Sequence, residues 1–304
     1  MYEITIITSF FNADKYITHY LNNVKNIIGY KELCLHYAYN IVGSHMDNDR
    51  VSSILTNFSL LYSNFKVINI NKEDDKGLYH LWNIAVKTTK TPYMMTLNID
   101  DMCYPRYVIN GLKYMNFGGD KVAIVSCPVN VTKIPNSNNY YTTWYKTKKI
   151  YYDKRFNLLS QLQKANVIYK NGRYIELKCN RYYKKISYKI PSHFKKSVKV
   201  EYNEYCLEDM FVDWNNDNNY NSYCMPHCCP IWRRDLHSKY GQFNYEKYGV
   251  YADFEFWLRI MKDNNKCFLM KNAEVLYLED ENSLERRSSN KSEYMSLIMN
   301  EYLI

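Results

Sequence analysis

The first hundred residues alternate between short apolar runs and stretches of helical spacing, and few folds accept that pattern. Ile4 to Ile7 is an apolar run that ends in the polar Thr8 and Ser9. From about Ala13 to Ile28, apolar residues recur at helical intervals: Tyr16, Ile17, Tyr20, Leu21, Val24, Ile27 and Ile28. Glu32 to Val42 reads as a second strand, and Arg50 to Tyr62 as a second helix. Phe65 to Ile70 is a third strand, Leu78 to Val86 a third helix, and Tyr93 to Leu97 a fourth strand. Strands and helices in this order predict a parallel sheet with right-handed crossovers. A helix follows Pro105, then a strand at Val122 to Ser126. The pattern returns near Tyr205, with Ile231 to Leu236 and the aromatic-rich helix Ala252 to Met261. In the last forty residues we expect one strand, Ala273 to Leu278, and a terminal amphipathic helix.

The stretch between these two regions differs in composition. From Lys133 to Val200 there are 17 Lys and Arg against Asp153 and Glu176, a net charge of +15, while the whole chain carries +9. The rest of the chain is therefore acidic. The basic stretch is rich in tyrosine and weakly periodic, with Asn171 to Arg173 as a turn between two strands, so it reads as an insertion. Tyrosine reaches 33 residues, which an AT-rich genome explains without a functional role. No run of 18 or more apolar residues exists, so no transmembrane helix is expected, and the N-terminus lacks the features of a signal peptide. Nine cysteines without regular spacing point to a reducing, cytoplasmic setting. Cys224, His227, Cys228 and Cys229 cluster, but their spacing matches no standard zinc site.

In an open parallel sheet, ligands bind beyond the carboxyl ends of the strands. The polar residues there are Ser9, Phe11 and Asn12 after the first strand and Asn40 near the end of the second. Glu73 to Gly77 follow the third, and Asn98, Asp100 and Asp101 the fourth. Adjacent carboxylates directly after an apolar strand repel each other and resist burial. A hard divalent cation resolves that conflict; a solvated turn, or Asp101 as a helix cap, is the alternative.

Four segments resemble the inverting family-two glycosyltransferases of the GT-A fold, which include many bacterial and viral polysaccharide enzymes. ITIITSFFN is similar to their opening strand and P-T-Y-N turn. DKGLYHLWNIAVKTTKTPYMMTLNIDDMCYP resembles their D-x-G-I-Y-D-A-x-N…L-N-x-D-D stretch. MPHCCPIWRRDLHSKYGQFN is similar to an acceptor-side H-x-x-x-x-x-R-R-x-L…G-x-F segment, and ADFEFWLR to the helix E-D-x-E-L-W-L-R. The resemblance covers about residues 1–127 and 205–262.

It implies an α/β fold of the GT-A type: a Rossmann-like, mainly parallel central sheet flanked by helices, with a basic insertion. Residues 1–127 would form the nucleotide-sugar half, 128–204 the insertion, and 205–304 the acceptor and catalytic-base half of one domain. It implies a metal-dependent, inverting transfer of a hexosyl or N-acetylhexosaminyl group from a nucleotide-sugar, UDP-linked, to a hydroxyl. Phe11 would stack on the donor base and Ser9 hydrogen-bond it. Asn40 would also contact the base, although Asn40 to Ser44 replace the usual Asp-Asp-Gly-Ser with a shifted register. Asp75, Lys76 and Asn83 would lie along the nucleotide, and Asn98 against the ribose. Asp100 and Asp101 would hold Mn2+ or Mg2+, with Asp100 also reaching the donor. Asp253 would be the general base; Ala252 replaces the acidic residue that usually precedes it. His227, Trp232 and Glu255 would line the acceptor. The Q-x-x-R-W of processive synthases is absent, so single transfers are expected.

The acceptor would be a glycan, lipid-linked or protein hydroxyl. The basic insertion would face an anionic membrane surface, giving a peripheral association in the cytoplasm, the host's if the chain is viral. No nucleic-acid recognition motif is present. Two other readings stand beside this one. A decayed transferase fold would bind nucleic acid or anionic lipid without catalysis, and need not keep Asp100, Asp101 and Asp253. A nucleotidyltransferase would share the sheet and the metal, but usually has a Gly-rich basic loop after the first strand, and TSFFNADK has no glycine.

Overall fold

The computed structural model describes residues 3–11, 13–29, 37–44, 49–120, 122–127, 129–132, 167–170, 173–176, 185–187, 199–205, 226, 228–270, 275–278 and 283–302. In chain order the strands and helices are β1 (Ile4–Phe10), α1 (Ile17–Ile28), β2 (Tyr37–Ser44), α2 (Asp49–Leu61), β3 (Phe65–Ile70), α3 (Leu78–Thr88), β4 (Tyr93–Thr96), β5 (Met102–Cys103), α4 (Pro105–Phe117), β6 (Val122–Ser126) and β7 (Val129–Thr132). There follow β8 (Val167–Lys170), β9 (Arg173–Glu176), β10 (Lys185–Ser187), β11 (Lys199–Tyr205), β12 (Ile231–Arg233), α5 (Leu236–Tyr240), α6 (Tyr245–Tyr248), α7 (Ala252–Met261), β13 (Lys266–Met270), β14 (Val275–Leu278), α8 (Leu284–Arg287) and α9 (Lys291–Tyr302).

Nine strands form the main sheet in the order β10-β11-β13-β6-β12-β4-β1-β2-β3. β1 pairs in parallel with β2 and β4, β2 with β3, and β13 with β6. Only β12 and β11 run against the common direction. Every residue of β1 is buried, as expected of a parallel strand covered on both faces. Its alternation divides the core: Ile4 and Ile6 join the cluster under α1, α2 and α4, and Ile7 joins the cluster under α3, α7 and α9. A smaller sheet has the order β5-β14-β7, and β8 and β9 form a separate antiparallel pair on either side of the expected turn at Asn171 to Arg173. Among the described residues no helix is long and apolar enough to cross a membrane.

Two features depart from the sequence expectations. The C-terminal region holds two strands, not one, because Lys266–Met270 pairs beside β6. The edge of the main sheet is also built from the basic stretch, since Lys185–Ser187 is the edge strand and pairs antiparallel with residues 199–201 of β11.

β12 is locked in place from both ends. Arg233 donates from Nε to the Val122 carbonyl at 2.8 Å, and from Nη2 to those of Gly119 at 2.8 Å and Met115 at 3.2 Å. It thereby covers the carbonyls left open where α4 ends, and its guanidinium lies over the Tyr93 ring. On the other face, Trp232 is fully buried against Trp257, Phe243 and His237.

His237 holds this aromatic group together in its neutral form. Trp232 Nε1–H donates to His237 Nε2 at 3.0 Å, which leaves the proton on Nδ1 to reach the Gly241 carbonyl at 3.0 Å. Burial, with a smaller push from Arg259, lowers its pKa from 6.5 to about 4. The unfolded chain therefore binds an extra proton between these values. The stability this contact contributes is complete above about pH 6.5 and is lost as pH falls towards 4. We expect thermal melts over that range to fall more steeply for the natural chain than for His237→Gln, whose amide cannot titrate. Parallel slopes would contradict the neutral, buried ring.

Candidate active site

The parallel register brings four strand ends to one edge of the sheet. Ser9 lies level with Val42, and Phe10 with Gly43. Beyond them Phe11 is 57% exposed, unusual for a phenylalanine beside a packed core, while Ser9 is buried. Asn40 sits elsewhere: it pairs with Ile7, halfway along β2, and the strand continues to Ser44. The expected end of that strand therefore moves to Gly43 and Ser44, and Asn40 lies two positions short of Val42, the residue level with Ser9.

After β3 the chain makes a tight turn into α3. Asp75 Oδ1 accepts from the Gly77 N–H at 2.7 Å, and Gly77 has a φ of +98°, which residues with a β-carbon rarely adopt. Lys76, between them, is exposed. The turn thus presents a lysine at the start of a helix, where backbone N–H groups also favour anions. Asn83 does not join it. Its carboxamide is buried, with Nδ2 donating to the Phe243 carbonyl at 3.0 Å and Oδ1 accepting from Phe243 N–H at 3.1 Å. Both groups are committed to fastening α3 to the segment after α5, so the expected nucleotide contact is replaced by a structural one.

β4 pairs with β1 up to Leu97, whose N–H donates to the Ile7 carbonyl, and the chain then turns back at Asn98 to Asp101. This turn separates the two carboxylates. Asp100 is partly exposed, and Asp101 is 1% exposed. Asp101 accepts from Asn98 Nδ2 at 3.3 Å and from Leu278 N–H on β14 at 3.4 Å. Burial, and then the charge of Asp100, raise its pKa well above the usual carboxylate range. Asn98 Oδ1 is buried and has no hydrogen-bond partner among the described residues. Asp100, partly exposed and backed by the sealed Asp101, fits a divalent cation with oxygen ligands.

Asp253 stands in the first turn of α7, where the helix N-terminus favours a negative charge. Its Oδ1 accepts from Phe254 N–H at 2.8 Å and lies 2.7 Å from Tyr79 Oη. Tyr79 Oη is also 2.9 Å from the Val250 carbonyl, so its single proton is shared between two acceptors. Tyr79 opens α3, directly after the Asp75–Gly77 turn, and so ties the base candidate to the strand ends. It lies within a quoted motif, yet nothing in the local sequence marks a contact with a residue 174 positions away.

Glu255 and Trp232 do not fit the acceptor role. Two residues turn a helix by about 200°, so Asp253 and Glu255 face opposite ways. Glu255 is buried and accepts from Arg259 Nε and Nη2 at 3.0 and 2.7 Å and from Tyr302 Oη at 2.7 Å. Arg259 in turn donates to the Tyr240 and Gln242 carbonyls. Trp232 is part of the core, as above. His227 lies outside the described residues.

Residues 5–171 match the family model described as "Glycosyl transferase family 2", more than half of the 304 residues. The chain belongs to glycosyl transferase family 2. The match runs past residue 127, into the stretch that reads as an insertion. The fold is GT-A, with its mostly parallel sheet flanked by helices. It is similar to S. aureus TarS 1-349 in complex with UDP-GlcNAc, with a TM-score of 0.57 and 13% identity over 98% of this chain and 66% of that one. The same TarS fragment in complex with UDP aligns at a TM-score of 0.54 and 13% identity, over 98% of this chain and 65% of that one. The chain therefore spans just under two thirds of the length of those structures. No curated protein matches it in sequence.

Replacing Glu255 by Ala should strip Arg259 of its buried partner and cost roughly 3 kcal/mol of stability. Chemical denaturation measures this. A fold of unchanged stability with altered acceptor affinity would return Glu255 to the acceptor site.

Proposed function

We propose that this glycosyltransferase is a metal-dependent, inverting enzyme that moves a single sugar from a UDP-sugar to an acceptor hydroxyl. The observation that carries the proposal is the placing of Asp253 at a helix N-terminus, fastened by Tyr79 to the turn that presents Lys76. A base candidate and a phosphate-binding candidate are thereby joined through one side chain. The UDP and UDP-GlcNAc complexes of TarS support a uridine donor.

In this reading Phe11 stacks on the base and Ser9 hydrogen-bonds it, while Lys76 meets the diphosphate. Asp100 would hold Mn2+ or Mg2+, with Asp101 behind it. The cation, when bound, neutralises charge on the departing diphosphate. Asp253 takes the acceptor's proton as that oxygen attacks the anomeric carbon from the face opposite the diphosphate, so the configuration inverts. Tyr79 holds the Asp253 carboxylate in one rotamer and hydrogen-bonds its charged form. The acceptor class is a glycan, lipid-linked or protein hydroxyl. The basic stretch from Lys133 to Val200, largely outside the described residues, would favour acceptors held at an anionic membrane.

Asp253→Asn should abolish transfer, by two to four orders of magnitude, roughly what general base catalysis supplies, while UDP binding survives. Tyr79→Phe should lower turnover by about tenfold or more, the worth of one hydrogen bond to a charged group, with little change in donor KM. Full turnover in Asp253→Asn would move the base elsewhere. Asp100→Ala should erase the gain in UDP affinity that Mn2+ gives the natural chain in calorimetry. Equal affinities with and without the ion in both proteins would leave Asp100 as a solvated turn.

A further inference from the structure

The loop that leads into β12 brings sulfur to the end of β4. β12 is antiparallel to β4, with Ile231 opposite Met95, so the residues before it run out past Leu97 towards the Asn98–Asp101 turn. Cys228 and Cys229 occupy that position. Their Sγ atoms are 3.6 Å apart, and both lie within 4.8 Å of a carboxylate oxygen of Asp101. Neighbouring side chains of an extended chain point to opposite sides, so two adjacent thiols in contact need an unusual backbone. Cys229 supplies it, with a φ of +59°, a region that residues with a β-carbon seldom enter. Tyr107 Oη–H donates to the Cys229 carbonyl at 2.5 Å and holds it there.

Buried cysteines often serve as small apolar side chains. Core packing accounts for Cys229 in its apolar cluster. The Cys228 thiol also donates to Asp101, but neither this bond nor packing accounts for the local backbone strain that brings the second sulfur to the same carboxylate. A second observation lies on the same carboxylate. Asn98 spends its N–H on Asp101, and its buried Oδ1 has no partner among the described residues.

We propose that Asp101, Cys228 and Cys229 form a binding site for a thiophilic divalent cation of the zinc class, distinct from the ion that accompanies the donor. Two thiolates and a carboxylate are a borderline-soft donor set, favouring Zn2+ or Co2+ over Mg2+. Three protein ligands leave the fourth tetrahedral position to water, and the open acceptor at Asn98 suits a metal-bound water. Binding releases the two thiol protons to solvent, so affinity falls as pH is lowered. Asp100, partly exposed, remains for the donor side. The ligand atoms come from two points far apart in sequence, Asp101 in the turn after β4 and the adjacent Cys228 and Cys229 in the loop before β12. An ion here would fasten β12's entry to the strand end that carries Asp100.

The test uses the full chain, reduced and free of nucleotide, titrated with Co2+. The expected result is one equivalent bound with a thiolate-to-cobalt charge-transfer band. Cys228→Ser, at a partly exposed position, should lose the band and weaken binding by more than about 100-fold, beyond the loss of an outer-sphere partner. Asp101→Asn should weaken binding similarly, and circular dichroism checks that it folds. Asp100→Asn should keep the band while losing Mn2+-dependent UDP affinity, which separates this site from the donor's ion. A natural chain without the band overturns the proposal. So does a band that persists in Cys228→Ser, because the thiolates would then lie elsewhere.

Discussion

Between β4 and β6 the main sheet has room for one strand, and Ile231–Arg233 fills it in the opposite direction. Much of the site depends on that reversed strand. It joins the C-terminal third of the chain to the N-terminal strands by backbone hydrogen bonds. Its alternation sends Ile231 to one core cluster and Trp232 to the other. Because it runs backwards, the residues before it arrive at the carboxyl end of β4, beside Asp101. Arg233 secures it by filling the carbonyls at the end of α4 from two nitrogens of its planar, spread fork, Nε and Nη2.

The second constraint is the setting of α7. One turn of helix carries two acidic residues with opposite duties. Asp253 faces Tyr79 at the start of α3; Glu255 faces Arg259 and Tyr302. The C-terminal helix reinforces this placement. Tyr302 hydrogen-bonds Glu255, and Glu301 bonds Tyr248 at 2.6 Å and Lys247 at 2.8 Å on the short helix before it. The exposed Lys247 pair contributes little by itself. The buried Glu255 group does more, since removing one member would leave an unpaired charge.

How far the site was legible follows from how each residue acts. Asp100, Asp101, Asp75 and Lys76 stand in the segments that follow strands, and an apolar run followed by polar residues marks such positions without knowledge of the fold. The proposed role of Asp253 rests on a helix whose neighbours match a family pattern. Asn83, Trp232 and Glu255 pack against other parts of the chain for a reason the sequence hides: a polar or aromatic side chain near a site looks the same in sequence whether it meets a ligand or another segment. Their partners, Phe243, His237 and Arg259, became evident only in space. Asn40 was displaced because a strand's end cannot be read from an apolar run that continues into Gly43 and Ser44.

The sequence by itself determined the N-terminal, parallel part of the sheet, since the alternation of apolar runs with helical spacing leaves the parallel arrangement as the way to bury both. It also determined where the carboxylates fall relative to the strands. The tertiary structure alone decided which of them face the crevice. Burial and side-chain partnership depend on segments that are distant in the chain, such as Leu278 and Cys228 at Asp101, or Tyr79 at Asp253. Local sequence carries no record of those approaches, because they are set by strand order and by the reversed entry of β12.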